Sequence, residues 1–392
     1  MRWILPTIVV AQFFCTSLWF AGNAIMPDII RDFQLEPDFL AHLTSAVQVG
    51  FITGTLVFAV LTIADRFSPS LVFFISSVLA ALFNLGMVLP VQPTGLLLFR
   101  LLTGFFLAGI YPVGMKIASD YYQQGLGKSL GFLVGALVVG TAFPHLLKSF
   151  TGNFPWHRVV YATTALSVIG GSVMMRWVPD GPFRTQGQPL NFTACLAGFR
   201  NKNFRSVAVG YFGHMWELYT FWAFVPVMLT AYNNQYTQAG LNVPLLSFFI
   251  IGSGGLACIF GGLLSQRFGA QKIAGIALFL SGLCCLISPL FLFIHIKWLL
   301  IVFLLFWGLV VIADSPLFST LVAQNAPAET RGTSLTIVNC IGFSITIVSV
   351  QTINLLSNYI GQKYIYLLLA AGPVIGLLAL RGSKRAAIAT QL

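Results

Sequence analysis

Long apolar runs separated by short polar loops dominate the pattern of this chain. Twelve runs are each about 20 residues long, which is the length that an α-helix needs to cross a bilayer. Together they cover nearly the whole chain, so the pattern predicts a membrane protein without a soluble domain. The predicted spans are 3–25, 39–63, 71–91, 95–118, 129–150, 158–178, 206–230, 244–264, 272–293, 298–322, 333–356 and 364–381.

The composition agrees with this pattern. Of the 392 residues, 57% are hydrophobic and only 8% are charged, and the mean hydropathy is +0.87. A soluble protein has about 25% charged residues. The chain is therefore predicted to be an all-α integral membrane protein. The first apolar run is too long for a signal peptide, so we expect it to be retained as the first helix.

The net charge of +11 sets the topology rather than pointing to nucleic acid. With the N-terminus inside, 14 Lys and Arg residues fall at inner ends or loops and five fall outside, with Arg100 and Lys116 inside the fourth span. This is the positive-inside bias. It predicts a multi-pass protein of the inner (plasma) membrane with both termini cytoplasmic. The six cysteines show no disulfide or zinc spacing.

The longest polar stretch divides the spans into two sets of six. It begins with the helix-stopping residues 178–182 and ends near residue 204. The predicted organisation is a first bundle at 1–178, a cytoplasmic linker at 179–204 and a second bundle at 205–392. Residues 192–199 within the linker are predicted to form a short helix on the inner leaflet.

Four landmarks recur in the two halves at nearly one offset, which indicates a duplication. The pairs are Arg66 with Arg267 (201 residues apart), Pro27 with Pro226 (199), Pro112 with Pro316 (204), and Gly127 with Gly332 (205). Any one of these pairs alone would be chance.

Two turns and one helix carry a resemblance to a known family. Asp65-Arg66-Phe67 follows the second span, Arg267-Phe268-Gly269 follows the eighth, and the fourth contains Arg100-Leu-Leu-Thr-Gly104. With twelve spans in two repeats, the chain resembles the major facilitator superfamily. The resemblance implies two six-helix bundles around a cavity lined by helices one, four, seven and ten, with alternating access. It also implies a conformational gate at the two turns, formed by Asp65, Arg66, Gln266 and Arg267.

Each of these four helices has polar or aromatic residues on a single face at a spacing of about 3.6 residues. The faces are Gln12, Thr16, Trp19 and Asn23 in helix one; Arg100, Gly104 and Tyr111 in helix four; His214, Glu217 and Phe221 in helix seven; and Trp307 and Asp314 in helix ten. The same geometry predicts that Trp216 and Tyr219 lie away from the cavity. Lys116 is predicted to pair with Asp120 near the inner surface.

Glu217 is the strongest candidate for a functional residue. A carboxylate in the middle of a span costs about 2.5–3.5 kcal/mol on insertion scales. A carboxyl group in a low-dielectric interior can load and release a proton near neutral pH. Glu217 and Asp314 are therefore predicted to couple transport to protons, and His214 could share this role. The alternative is a permanent ion pair between Glu217 and Arg100 that serves only the structure.

The predicted substrate-binding residues are Arg100, Gln12, Thr16, Trp19, Asn23, Tyr111, Phe221 and Trp307. Arg100 could grip an anionic group of the solute, or pair with an acid and time proton release. The aromatic residues could line the cavity or simply pack the bundles. His214 and Glu217 could hold a metal with Asp314, but ligands on separate helices are a weak signal. No metal, cofactor or enzymatic activity is predicted.

The pattern favours a proton-coupled secondary transporter for a small polar organic solute, anionic or zwitterionic, acting as a monomer in lipid. Proton-driven efflux of an amphipathic compound is the alternative. Drug antiporters of the superfamily have a Gly-Pro-x-x-Gly-Gly element in helix five, which this chain lacks. Nitrate porters have arginines in helices two and eight, which are also absent. A membrane sensor that does not transport is a third possibility.

Overall fold

A computed structural model describes residues 3–122, 126–151, 154–184, 198–327 and 330–389, with backbone alone at 126–128 and 382–389. Within these ranges the regular structure is helical. Besides a short helix at Ile63–Arg66, which lies in the turn after the second long helix, it forms twelve long helices, five of them interrupted. They are α1 (Ile4–Thr16, Ala21–Ala24 and Met26–Phe33), α2 (Phe39–Val60), α3 (Pro69–Gly86), α4 (Pro93–Leu107 and Tyr111–Tyr121), α5 (Leu126–Thr151), α6 (His157–Trp177), α7 (Lys202–Gln235), α8 (Val243–Gly252 and Gly254–Phe268), α9 (Ala270–Phe291), α10 (Lys297–Val310 and Ser315–Asn325), α11 (Arg331–Leu356) and α12 (Ile365–Ala370 and Ala371–Ala389).

Each predicted span falls on one of these helices. In the described ranges, nine helices (α2–α6 and α8–α11) are long and apolar enough to cross a membrane, while α1 and α12 carry shorter apolar stretches. The remaining helix, α7, has 34 residues and is more polar. Most of α7 between Phe204 and Tyr232 is buried by other helices. Lipid therefore does not require it to be apolar on every side.

Helices α1–α6 form one bundle and α7–α12 form a second. In the first, α2 packs on α4 and α3 on α6; in the second, α7 packs on α11 and α12. The bundles meet where α5 contacts α8 and where α2 contacts α11. The predicted fold class is confirmed.

The connection between the bundles ends at Asn201, whose side chain accepts hydrogen bonds from the first turn of α7. The predicted helix at 192–199 lies largely outside the described residues.

A glycine contact occurs at matching positions in the two bundles. A Cβ on Gly104 of α4 would lie 2.1 Å from the carbonyl oxygen of Val47 in α2. A Cβ on Gly308 of α10 would lie 2.1 Å from the carbonyl oxygen of Ile250 in α8. Small residues let helix backbones approach closely in membranes. The duplication seen in the sequence therefore extends to how the helices pack.

Three of the interrupted helices restart near a proline. Pro112 and Pro316 lie in the first turn of the second pieces of α4 and α10, and Pro27 lies in the first turn of the last piece of α1. Proline lacks an N–H group and is tolerated in the first turn of a helix, where that group would have no partner. The first span was predicted to end at residue 25, but a further helical piece follows from Met26 to Phe33.

The two ends of the bundles are distinguished below as the linker side and the far side. The linker side contains the turn after α2, the end of α6, the start of α7 and both described ends of the chain. On the far side the bundles touch: Gln351 of α11 donates a hydrogen bond to Ser45 of α2 (2.8 Å). Val227 of α7 also packs against a cluster of the first bundle that includes Leu43.

Candidate functional site

Glu217 lies inside the second bundle and is fully buried. At 1.5 Å per residue, it is about 22 Å from the first residue of α7, near the middle of that helix. Its Oε1 accepts hydrogen bonds from Trp307 Nε1 (2.6 Å) and Cys285 Sγ (3.3 Å), and its Oε2 accepts one from Ser281 Oγ (2.9 Å). All three donors are neutral. Among the described residues, no Lys, Arg or His contacts this carboxyl group.

The donors to Glu217 come from two neighbouring helices. Trp307 of α10 is fixed by its ring contacts with Phe221 (4.5 Å between centroids) and Phe303 (5.5 Å). Ser281 and Cys285 belong to α9 and were not among the predicted site residues. They are four residues apart and share one face of α9. That spacing was visible in the sequence, but nothing there showed which helix their face contacts.

His214 and Asp314 form a second polar pair nearer the linker side. His214 Nδ1 lies 2.8 Å from Asp314 Oδ1, and both side chains are about 1% exposed. Asp314 directly precedes the second piece of α10, at the break in that helix. His214, Glu217 and Phe221 therefore share one face of α7, as predicted. This face contacts α9 and α10 rather than the first bundle, so its predicted orientation toward the central cavity is wrong.

The opposite face of α7 contacts the first bundle. Six aromatic side chains meet there and are called the aromatic seam: Trp19, Phe20 and Phe51 of the first bundle, and Tyr219, Trp222 and Phe343 of the second. The Trp19 ring contacts both Tyr219 (5.9 Å between centroids) and Phe343 (5.8 Å), and these two rings also contact each other (5.3 Å). Tyr219 was predicted to lie away from the cavity, but its ring contacts Trp19 and Phe20 of the first bundle. Trp216 does lie away from it and donates to the carbonyl of Leu368 in α12.

Several polar groups at or beside the aromatic seam lack partners. The Nε1 atoms of Trp19 and Trp222 are buried, and neither donates a hydrogen bond to any described residue. The amide of Gln48, one turn before Phe51 on α2, is buried with both its oxygen and its nitrogen unpaired. A buried polar group without a partner is rare and calls for an explanation. These groups make the seam the best candidate for contact with a solute.

Arg100 is fully buried in the first bundle, at the break in α1. It donates to the backbone carbonyls of Leu18 and Trp19 and to Asn84 Oδ1 (3.4 Å). The residues that the structure describes include no acidic side chain in contact with it. The alternative of an Arg100–Glu217 ion pair is thus not formed. The carbonyl of Leu18 also accepts from the backbone N–H of Ala21 (3.4 Å), so Arg100 supplements the backbone hydrogen bonds at this break, and its Nε remains unpaired.

The other predicted residues of α1 and α4 point in several directions. Gln12 packs on Gly114 of α4, and its amide is buried without a partner. Thr16 bonds back to the carbonyl of Gln12 (2.8 Å), and Asn23 donates to Thr44 of α2 (2.8 Å). Tyr111 opens the second piece of α4 and is half-buried. The structure therefore does not gather these side chains into one stripe.

The predicted gate residues differ between the two turns. Asp65 Oδ1 contacts Lys116 Nζ at 2.7 Å, whereas Asp120 is 3.9 Å from the same nitrogen. The predicted Lys116–Asp120 pair is thus the weaker of the two contacts. Arg66 bonds locally to Thr62. In the second bundle, Gln266 and Arg267 are exposed, so the acid–lysine contact has no counterpart at the position of Gln266.

For the solute transport that the resemblance implies, Trp307→Phe is expected to lower the initial rate of uptake at least about tenfold, because a hydrogen bond to a charged group contributes about 1.5–3 kcal/mol. Phe preserves the ring contacts with Phe221 but removes the N–H that reaches Glu217. The matched control is Trp298→Phe, because Trp298 lies on the same helix and is 66% exposed. Uptake into proteoliposomes is measured for both variants. Equal rates for Trp307→Phe and Trp298→Phe would show that the hydrogen bond from Trp307 to Glu217 does not matter for uptake.

Lys116→Gln is expected to lower the unfolding temperature of the purified protein by about 1 °C, because a partly exposed ion pair contributes about 1 kcal/mol or less and the chain is long. Arg66→Gln should change it less, since Arg66 is exposed and reaches only Thr62. Thermal unfolding in detergent measures both variants. A larger fall of the unfolding temperature in Arg66→Gln than in Lys116→Gln would contradict a stabilising contact between Lys116 and Asp65.

The sequence profile of the Major Facilitator Superfamily matches residues 8–350, and a second match covers 207–390. The chain therefore belongs to this superfamily of membrane transporters, as its motifs and fold indicate. The chain is also similar to the niacin transporter NiaP of Acinetobacter baylyi (strain ATCC 33305 / BD413 / ADP1), with 27% identity over 201 residues. The similarity covers 45% of this chain and 43% of that protein, so the chain matches less than half the length of this relative.

Proposed function

We propose that this protein is a proton-coupled secondary transporter of a small organic solute, with Glu217 as the residue that carries the proton. The observation behind this is the isolation of the Glu217 carboxyl group. It is fully buried, and its three contacts are neutral donors rather than cations. A buried carboxylate without a counter-charge is strongly disfavoured. A proton removes that charge without any rearrangement of the helices.

The surroundings of Glu217 can accommodate both of its states. Hydrogen-bond donors stabilise the carboxylate, whereas burial disfavours its charge. These opposing effects let a small change in the bundle favour loading or release. His214 and Asp314 lie on the same face of α7 and at the neighbouring break of α10. We include them as a second proton site, through which a proton would pass between Glu217 and the linker side.

The solute is proposed to be a small organic acid that binds at the aromatic seam. The similar protein from Acinetobacter baylyi is a niacin transporter, and niacin is an aromatic carboxylic acid. The unpaired N–H groups of Trp19 and Trp222 and the unpaired amide of Gln48 support this placement. We further propose that the protein works as a monomer by alternating access. It would lie in the plasma membrane with both termini on the cytoplasmic side.

Proton movement driven by the solute tests this function. Purified protein is reconstituted in vesicles that enclose a pH indicator, and nicotinate is added outside without an imposed gradient. Symport predicts that the lumen becomes acidic as nicotinate enters. A lumen that becomes alkaline would favour proton-driven efflux, the alternative direction. Nicotinate entry without any pH change, measured with a proton carrier as the control for leak, would contradict proton coupling.

A further inference from the structure

Among the residues that the structure describes, two buried charged groups face no opposite charge. The described residues bury six side chains of the Asp, Glu, Arg, Lys and His types, which are Arg100, Asp120, His145, His214, Glu217 and Asp314. His214 contacts Asp314. Asp120 lies at the linker-side end of α4, in a partly exposed cluster with Lys116 and Asp65, so its charge is not isolated inside a bundle. His145 needs no counter-charge when it is neutral. Arg100 and Glu217 remain, one in each bundle, and each is surrounded by neutral groups.

The neighbours of both groups support this isolation. Arg100 contacts backbone carbonyls of α1 and the amide of Asn84 in α3. The ionisable groups facing Glu217 are Cys284 and Cys285 of α9 and Asp314 of α10, which is paired with His214. The described parts of α2, α8, α11 and α12 bring no Asp, Glu, Lys, Arg or His side chain to it. Neither residue therefore has another source of compensation.

Arg100 lies next to the aromatic seam. Its Nη2 donates to the backbone carbonyl of Trp19, and the Trp19 ring is the centre of the seam. The indole N–H groups of Trp19 and Trp222 are buried donors that lack an acceptor. Flat aromatic walls, two free donors and a nearby uncompensated cation together fit a planar anion. The ligand class is an aromatic monocarboxylate.

Resting on the proposed proton coupling, we infer that Arg100 and Glu217 form a charge balance that couples one aromatic monocarboxylate to one proton. The empty protein holds the positive Arg100 and the negative Glu217, with a sum of zero. Binding the anion alone gives −1, and binding the proton alone gives +1. Binding both restores zero. A net charge inside the membrane is strongly disfavoured, so the empty and the doubly loaded forms are the ones that reorient.

Dependence on membrane potential tests this charge balance. Nicotinate or benzoate uptake into proteoliposomes, after subtraction of the uptake into protein-free liposomes, is driven by a fixed pH gradient, while potassium and valinomycin set the membrane potential. Electroneutral symport predicts that the accumulation ratio stays within about twofold when the potential is changed by about 100 mV. Movement of one net charge would change it about 50-fold, which corresponds to about 2.3 kcal/mol per 100 mV.

The outcomes separate this inference from the function on which it rests. Accumulation that follows the pH gradient but also changes with potential overturns the charge balance and leaves proton coupling intact. Accumulation that does not respond to the pH gradient overturns the proton coupling itself. If neither nicotinate nor benzoate enters while another solute moves protons, the assigned ligand class is wrong.

A double variant gives a second test that a merely structural role for these residues would not produce. Arg100→Gln combined with Glu217→Gln removes both charges, so the empty protein remains neutral. This variant is expected to equilibrate the neutral analogue nicotinamide without protons and to lose nicotinate transport. The two single variants should not equilibrate nicotinamide, because each retains one unbalanced charge. Nicotinate transport by the folded double variant at the wild-type rate would overturn the inference. If the double variant does not fold, the potential measurement on the wild-type protein decides.

Discussion

Glu217→Gln abolishes proton-driven accumulation of the solute, whereas exchange of solute across the membrane continues. Gln cannot carry the proton, so the accumulation ratio falls to unity. Its amide oxygen can still accept from Trp307, and its amide nitrogen can donate to Ser281 Oγ in place of the present contact. The packing of α7 against α9 and α10 is therefore kept. Counterflow requires no net proton movement and should stay within about fivefold of wild type, the equivalent of one ordinary hydrogen bond.

Radiolabelled solute uptake and counterflow in the same proteoliposomes measure these two quantities. Glu36→Gln is the matched control, because Glu36 is an exposed carboxylate in the loop between α1 and α2. It should leave both uptake and counterflow unchanged. Accumulation by Glu217→Gln at the wild-type ratio would show that Glu217 has only a structural role. Loss of counterflow together with accumulation, in protein that is folded, would show that it binds the solute rather than the proton.

Gly50→Leu prevents the protein from folding. A Cβ at Gly50 of α2 would lie 1.9 Å from the carbonyl oxygen of Leu101 in α4. Backbone atoms cannot move away as a flexible side chain can, so α2 and α4 must separate. The same helix α2 also contacts α11 of the second bundle. Overpacking of this kind at a helix crossing is expected to cost more than about 4 kcal/mol, a large fraction of the stability of most proteins.

The yield of monodisperse protein in detergent and its unfolding temperature measure this effect. Gly275→Leu in α9 is the matched control, because a Cβ at Gly275 would meet no atom within 4 Å. It should give wild-type yield and a similar unfolding temperature. Gly50→Leu protein that purifies like the wild type would contradict the close contact of α2 with α4.

The hydrophobic pattern predicted the location of all twelve helices because lipid requires apolar side chains over a fixed length. It did not predict where α1 breaks. The break at residues 17–20 is stabilised by Arg100, a residue more than 80 positions away that donates to the carbonyls of Leu18 and Trp19. A tertiary contact of this kind leaves no local signal in α1. Pro112 and Pro316 did mark the breaks in α4 and α10, although their spacing was interpreted only as a sign of duplication.

Periodicity correctly grouped His214, Glu217 and Phe221 on one face of α7 but assigned that face to the wrong neighbour. The periodicity of a helix shows its orientation only where its two faces have different surroundings, as at the surface of a bundle. Helix α7 is surrounded by other helices on most sides, so its faces differ little in polarity. The periodicity of a single helix cannot show whether Glu217 or Tyr219 meets the first bundle. The donors Ser281 and Cys285 could not be identified for the same reason.

Proton uptake on solute binding tests the role of Glu217 most directly, because it requires neither vesicles nor gradients. Nicotinate is titrated into purified protein in buffers of different ionisation enthalpy, and the heats give the number of protons taken up per bound nicotinate. The wild-type protein should take up close to one proton, and Glu217→Gln should bind nicotinate with close to none. Equal proton uptake by both proteins, or nicotinate binding to the wild type without proton uptake, would contradict the assignment of proton coupling to Glu217.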